Sequence, residues 1–135
     1  FQIKTKLLKT EHQIVKNMDI MIDKVQLKII IQNIIGNAIK FTPEDGIIKI
    51  HYELNDNFAL CHIEDSGIGI DSKYHGMING KDYARIPSVR GTANEKGTGL
   101  GLLLVKQFLE LNGGNLIMES REGEGTHFIL YFKQA

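Results

Sequence analysis

Several things are scarce in this sequence, and each scarcity excludes a class of protein. One cysteine in 135 residues rules out an intramolecular disulfide framework. That residue, Cys61, lies in an alternating apolar run, where a small buried hydrophobe is expected rather than a nucleophile. Net charge is missing too. Sixteen Lys plus Arg balance sixteen Asp plus Glu, so no bulk field draws the chain to nucleic acid or to an acidic membrane. No apolar stretch approaches the ~18 residues of a membrane span, and no signal-peptide pattern opens the sequence. The reading is a cytoplasmic domain without direct membrane contact, any anchor of a parent protein lying outside this stretch. The histidines at 12, 51, 62, 75 and 127 lack the close spacing of a zinc site and read as structural or surface residues. Gly-Lys-Ser/Thr is absent, which excludes a P-loop.

What is present is ordinary in bulk: 42% apolar and 24% charged residues, in a length that suits one domain with a real core. Residues 1 to about 10 read as the end of a helix, and 14–15 and 20–22 as short strands. Segment 1–12 is therefore assigned to a preceding helix or linker, and 13–135 to the domain. Asp23-Lys24-Val25-Gln26 has the form of a capping box, and the helix it opens runs to about Phe41, with Pro43 just beyond. Residues 47–54 alternate as a half-buried strand, Asn55-Asp56-Asn57 makes a hairpin loop, and 58–65 return. Residues 71–96 carry little periodicity, with at most a weak helix within 74–86. Gly97-Thr98-Gly99-Leu100-Gly101 then opens an apolar helix that Asn112-Gly113-Gly114 stops, and 116–119 and 128–132 supply two more strands. The expected fold is a two-layer α/β sandwich, a mixed and mostly antiparallel sheet with helices packed on one face. The Gly-rich loop follows no strand of a βαβ unit, so a dinucleotide-binding reading fails.

Three places carry chemistry. On a helical wheel with Asn33 at zero, Asn37 falls near 40° and Lys40 near 340°, at roughly 100° per residue. Leu27, Ile30, Ile31, Ile34, Ile35, Ala38 and Phe41 fill the adjoining arc. Asparagine is a poor helix former, so two in one helix are either a solvated face or a wall of amide oxygens and one cation facing a metal-bound phosphate. Asp65-Ser66-Gly67-Ile68-Gly69 sets a carboxylate at a strand end before two glycines, which is an ordinary turn or an acceptor for an amine with backbone close to a flat ligand. Gly97 to Gly101 lays backbone N–H groups at a helix N-terminus, where phosphates bind.

Taken in this order, the three resemble the N, G1 and G2 boxes of one family, and Gly125-Thr126-His127-Phe128 resembles its closing element. The family is the catalytic, ATP-binding domain of bacterial sensor histidine kinases, within the GHKL superfamily. The resemblance covers about residues 14–132 and implies the Bergerat type of α/β sandwich. It implies that Asn37, with Asn33 beside it, coordinates Mg²⁺ on the ATP phosphates, hard oxygen ligands suiting that ion. Lys40 would reach a phosphate, Phe41 would pack near the adenine, and Asp65 would accept from the adenine amino group with Thr126 nearby. Gly67 and Gly69 would let the ring approach the backbone. Gly97, Thr98, Gly99, Leu100 and Gly101 would cradle phosphates, and 71–96 would be an ATP lid ordered with nucleotide.

The lid departs from the family's Phe-rich pattern. Lys81-Asp82-Tyr83-Ala84-Arg85-Ile86-Pro87 matches only loosely, with Tyr83 or Ile86 in the anchor's place and Arg85 or Arg90 directed at the γ-phosphate. No phosphoacceptor histidine is recognisable. The implied partners are a histidine-bearing dimerisation domain of the same protein and the receiver domain of a response regulator. Two alternatives stand beside this reading. One is another GHKL ATPase, or a serine kinase acting on an anti-sigma factor. The other is a pseudokinase that binds nucleotide under a divergent lid. Hydrolytic members use a glutamate in the N-box helix, and here the carboxylates nearest that helix are Asp23 and Glu44 at its two ends.

Overall fold

The computed structural model describes residues 9–12, 19–80 and 101–135. Five strands form one sheet: β1 (Lys9–His12), β2 (Ile47–Leu54), β3 (Phe58–Asp65), β4 (Asn115–Arg121) and β5 (Gly125–Lys133), in spatial order β1-β2-β3-β5-β4. β1 runs parallel to β2 and every other pair is antiparallel. The helices are α1 (Lys24–Phe41), the short α2 (His75–Asn79) after a 3₁₀ turn at Ser72–Tyr74, and α3 (Gly101–Leu111). This is the expected two-layer sandwich.

Residues directly opposite one another across strands share a face, so the register names the core. The rows Tyr52–Cys61–Leu130–Leu116 and Ile50–Ile63–Phe128–Met118 point at the helices. Ile30, Ile34 and Ala38 of α1, Ile78 of α2, and Val105 and Leu109 of α3 meet them, all 1% exposed or less. The next row, Ile48–Asp65–Thr126–Ser120, continues the same face to the end of the sheet but changes from apolar to polar.

The helix ends show which signals are local. Asp23 Oδ1 accepts from Gln26 N–H at 2.9 Å, as the capping box requires. The reciprocal half is replaced by Asn112, which follows α3. Asn112 Oδ1 accepts from Asp23 N–H at 3.3 Å and its Nδ2 donates to Gln26 Oε1 at 2.6 Å. At the end of α3, Gly114 N–H donates to Leu109 O at 2.7 Å and Gly113 N–H to Glu110 O at 3.1 Å, with Gly113 at φ +76°. Those two bonds close a Schellman motif that only a left-handed residue permits.

Three expectations are corrected. Lys9–His12 is not the end of a helix but a strand paired with residues 47–50, so the sheet extends into the segment assigned to a linker. Residues 20–22 make an isolated bridge from Ile20 to Gln134 and one bond from Met21 N–H to Lys133 O, rather than a strand. Residues 71–80, assigned to the lid, belong to the body of the domain: Ile78 is 1% exposed, and Asn79 grips the edge strand β4 through both amide atoms. Its Nδ2 donates to Met118 O at 2.9 Å and its Oδ1 accepts from Met118 N–H at 2.7 Å. Residues 13–18 and 81–100, which carry the strand expected at 14–15 and the rest of the segment assigned to the lid, lie outside the described residues.

Lys106 fastens α2 to α3. The residue is 2% exposed, its ammonium donates to Ile78 O and, at 2.9 Å, to Gly80 O, and burial lowers its pKa from the usual lysine value against the pull of Glu110. Lys106→Met keeps the aliphatic stem but leaves carbonyls unpaired at the end of α2. A loss of about 1–3 kcal/mol is expected in urea unfolding, the cost of an orphaned buried acceptor. A variant as stable as the parent would mean that water takes over those carbonyls.

Candidate functional site

The polar row at the end of the core face is where three backbone segments close on one another. Asp65 ends β3, and its Oδ1 accepts from Gly67 N–H at 2.9 Å and from Thr126 N–H at 3.2 Å. The turn after it is held on both sides. Ile68 N–H donates to Phe41 O at the end of α1 (3.0 Å), and Ile68 O accepts from Gly123 N–H in the β4–β5 turn (2.8 Å). The end of the N-box helix and the G1 turn are therefore one hydrogen bond apart.

The glycines of this turn answer to the protein's own backbone. A Cβ at Gly67 would stand 2.3 Å from Phe41 O, and one at Gly69, where φ is +76°, 2.2 Å from Arg121 O. Gly125, at φ +117°, would bring a Cβ within 1.9 Å of Asp65 O. Close chain packing by itself requires glycine at 67 and 69, whatever ligand approaches the turn.

Asp65 is 9% exposed, and burial pushes its carboxyl from 3.8 up to about 6, against the two backbone N–H bonds that favour the charged form. Among the described residues nothing donates to Oδ2, so a buried carboxylate keeps free acceptor capacity at the mouth of the core. Thr126, 6% exposed, stands beside it in register.

Asn33, Asn37 and Lys40 all lie on the unbroken helix α1. Asn33 Nδ2 donates back to Ile29 O at 2.8 Å, which leaves the amide oxygen as the outward atom. That oxygen faces the start of α3, where a Cβ on Gly101 would lie 2.8 Å from it. Asn37 is half-buried one turn on, and Lys40 is 8% exposed with its Nζ 4.8 Å from the Phe41 ring centroid. Ile39, outside the predicted arc, is buried as well. Gly97, Thr98, Gly99, Leu100, Arg85 and Arg90 lie outside the described residues; Gly101 alone of the G2 box is seen, against Asn33.

The donor set fits a hard cation that arrives already bound to a ligand. Amide oxygens suit Mg²⁺, but among the described residues no three His, Cys, Asp or Glu side chains are placed to hold a metal. Two amides without a carboxylate cannot retain such an ion alone, so phosphate oxygens and water would have to complete its shell.

Sequence reasoning missed two groupings. Ser120 joins the G1 turn to the last strand: it accepts from Ile70 N–H at 2.7 Å and contacts Gly125 O and Thr126 Oγ1 at 2.9 and 3.0 Å. On the outer sheet face, His51 stacks on His62 at 4.3 Å, and His62 Nδ1 lies 2.8 Å from His127 Nε2 and its Nε2 2.9 Å from Glu53. Burial lowers the His127 pKa, partly offset by Glu64. An open cleft of about 410 Å³ reaches Asp65, Ser120 and Thr126 but is otherwise lined from the outer face and hairpin, with no residue of α1. It lies behind the row rather than between sheet and helices.

The profile of the histidine kinase-, DNA gyrase B-, and HSP90-like ATPase family matches residues 22–135. An uncharacterized sensor-like histidine kinase of Rhizobium meliloti is 38% identical over 112 residues, 83% of this chain and 21% of that protein. The sensor histidine kinase WalK of Bacillus subtilis is 33% identical over 123 residues, 88% of this chain and 20% of that protein. The chain thus spans about a fifth of the length of these relatives. The nucleotide-free catalytic domain of the histidine kinase ThkA superposes with a TM-score of 0.76 at 25% identity, covering 98% of this chain and 84% of that one. Profile, relatives and fold agree: the chain belongs to the histidine kinase-, DNA gyrase B- and HSP90-like ATPase family, among the catalytic domains of sensor histidine kinases.

Proposed function

We propose that this domain binds Mg-ATP and presents the γ-phosphate to a histidine on a separate dimerisation domain, from which the receiver domain of a response regulator takes it. The supporting observation is the joint between Phe41 and Ile68. It sets the turn after the buried acceptor Asp65 against the last turn of α1, which carries Lys40, with Asn37 and Asn33 about one and two turns further back along the helix. An adenine amino group would be taken by Asp65, with Phe41 against the ring and Thr126 alongside. Lys40 would meet the phosphates as a point charge. Asn37 and Asn33 would offer oxygens to Mg²⁺, which when bound neutralises phosphate charge. The G2 residues Gly97 to Gly101, and Arg85 or Arg90, would hold the remaining phosphate oxygens. In phosphoryl transfer the protein mainly positions and stabilises charge, and these side chains suffice for that. α1 carries no acidic residue to activate water, which favours transfer over hydrolysis.

Calorimetric titration with ATP, with and without Mg²⁺, tests the binding; heat that appears only in the presence of Mg²⁺ fits the donor set, and none at millimolar nucleotide would sink the reading. Asn37→Ala should weaken Mg-ATP binding at least about tenfold, some 1.4 kcal/mol, while the thermal midpoint stays put. If the variant unfolds instead, the stripe is structural.

Asp65 gives an opposed pair of effects. Its folded pKa of about 6 exceeds the usual 3.8, so between those values the folded chain holds a proton that the unfolded chain has lost. The resulting penalty is absent below 3.8, grows as pH rises to about 6, and is constant above that. Asp65→Asn removes it, so the variant should exceed the parent in urea stability at pH 7 by up to about 3 kcal/mol, with the difference vanishing near pH 4. The same variant should lose ATP affinity. A variant less stable at pH 7 would show that the charge is compensated.

A further inference from the structure

The hydroxyl of Ser120 lies among three groups whose proton positions can be deduced. Ile70 N–H donates to Ser120 Oγ at 2.7 Å, Gly125 O is 2.9 Å away, and Thr126 Oγ1 is 3.0 Å away. A carbonyl oxygen has no hydrogen to give, and two oxygens at that separation with no proton between them repel. The single hydrogen of Ser120 must therefore point at Gly125 O. The contact with Thr126 then runs the other way, with the threonine donating its hydrogen to Ser120. Ser120 Oγ gives one bond and accepts two, which is its full complement.

The consequence falls on Thr126. With its hydrogen committed, only its lone pairs remain for any other partner. Asp65 stands next to it in the same row, and its carboxylate is also an acceptor only when ionised. Two side chains that can only accept thus close the end of the core face. They suit a group that brings two hydrogens, such as an exocyclic amine or a water that bridges to one. They repel a keto oxygen, which would set acceptor against acceptor.

We propose that Ser120 is a positioning residue for base specificity: by fixing the Thr126 hydroxyl as an acceptor, it makes the pocket favour a 6-amino purine over a 6-oxo purine. This rests on the nucleotide-binding reading above. Ser120 itself need not touch the base. Without it, the Thr126 hydroxyl regains a free rotor and can turn its hydrogen toward a keto oxygen.

The test measures Kd for ATP and for inosine triphosphate, which carries a 6-oxo group and N1–H in place of the 6-amino edge, on the intact chain with Mg²⁺. The parent should prefer ATP. Ser120→Ala should cut the ratio of the two affinities about tenfold, the scale of one redirected hydrogen bond. Ser120→Thr, which keeps a hydroxyl there, should retain the ratio. Thr126→Val, isosteric but without the hydroxyl, should also lower the ratio, and adding Ser120→Ala to it should change the ratio no further, because the residue through which Ser120 acts is gone. If Ser120→Ala weakens both nucleotides equally, or if its effect on the ratio persists in the Thr126→Val background, Ser120 is merely structural and the proposal falls. A parent that binds neither nucleotide overturns the nucleotide reading and this inference with it. A parent that binds ATP with a ratio indifferent to Ser120 overturns this inference alone.

Discussion

The carboxylate of Asp65 lies at the end of a sheet whose other core-facing rows are apolar, and its burial constrains everything near it. A charged group out of water needs hydrogen bonds, and here they come from the backbone of Gly67 and Thr126. For those amides to reach one oxygen, the turn after β3 must fold back on its own strand. That fold leaves no room for side chains at 67 and 125, where the nearest atoms are Phe41 O and Asp65 O. It also carries Ile68 against the end of α1. The acceptor, the two glycines and the end of the N-box helix are one geometric solution. Its cost appears as a carboxyl that burial holds near 6 against those two bonds.

The other polar grouping depends on how α1 and α3 meet. Asn33 spends its amide N–H on the helix backbone and turns its oxygen toward Gly101, so the stripe and the helix opened by the G2 box face each other directly. Asn112 ties the opposite ends of the same two helices through Asp23 and Gln26. Lys106, deeper in α3, holds the end of α2 through Gly80 O. The helix pair is thus hydrogen-bonded where α1 starts and α3 ends, and in close contact where Asn33 meets Gly101.

Much of this was legible in the sequence because the signals are local. Asp23 caps α1, strand alternation marks β2 and β3, and Gly113 stops α3 within a few residues of where each effect is felt. The ordered boxes around Asn33, Asp65 and Gly97 carried the family. What stayed hidden depends on partners far along the chain. Lys9–His12 has no apolar alternation, and pairing with residues 47–50 alone makes it a strand. Ser120 looks like any strand serine until the register sets it beside Thr126. The histidines at 51, 62 and 127 meet only because β2, β3 and β5 lie side by side. Residues 71–80 lacked periodicity because α2 is five residues long, too short to display one, and Asn79 and Lys106 rather than propensity hold it down.

The central claim is a division of labour: this domain holds and aims the phosphoryl donor, and the accepting histidine comes from elsewhere. The direct measurement is incubation with γ-³²P-labelled ATP and Mg²⁺, alone and with an added helical hairpin domain that bears a phosphoacceptor histidine. The account predicts bound nucleotide but no label on this chain alone, and acid-labile label on the hairpin histidine when the two are mixed. Label on one of the domain's own histidines without a partner would contradict it, as would tight ATP binding with no transfer to any matched hairpin.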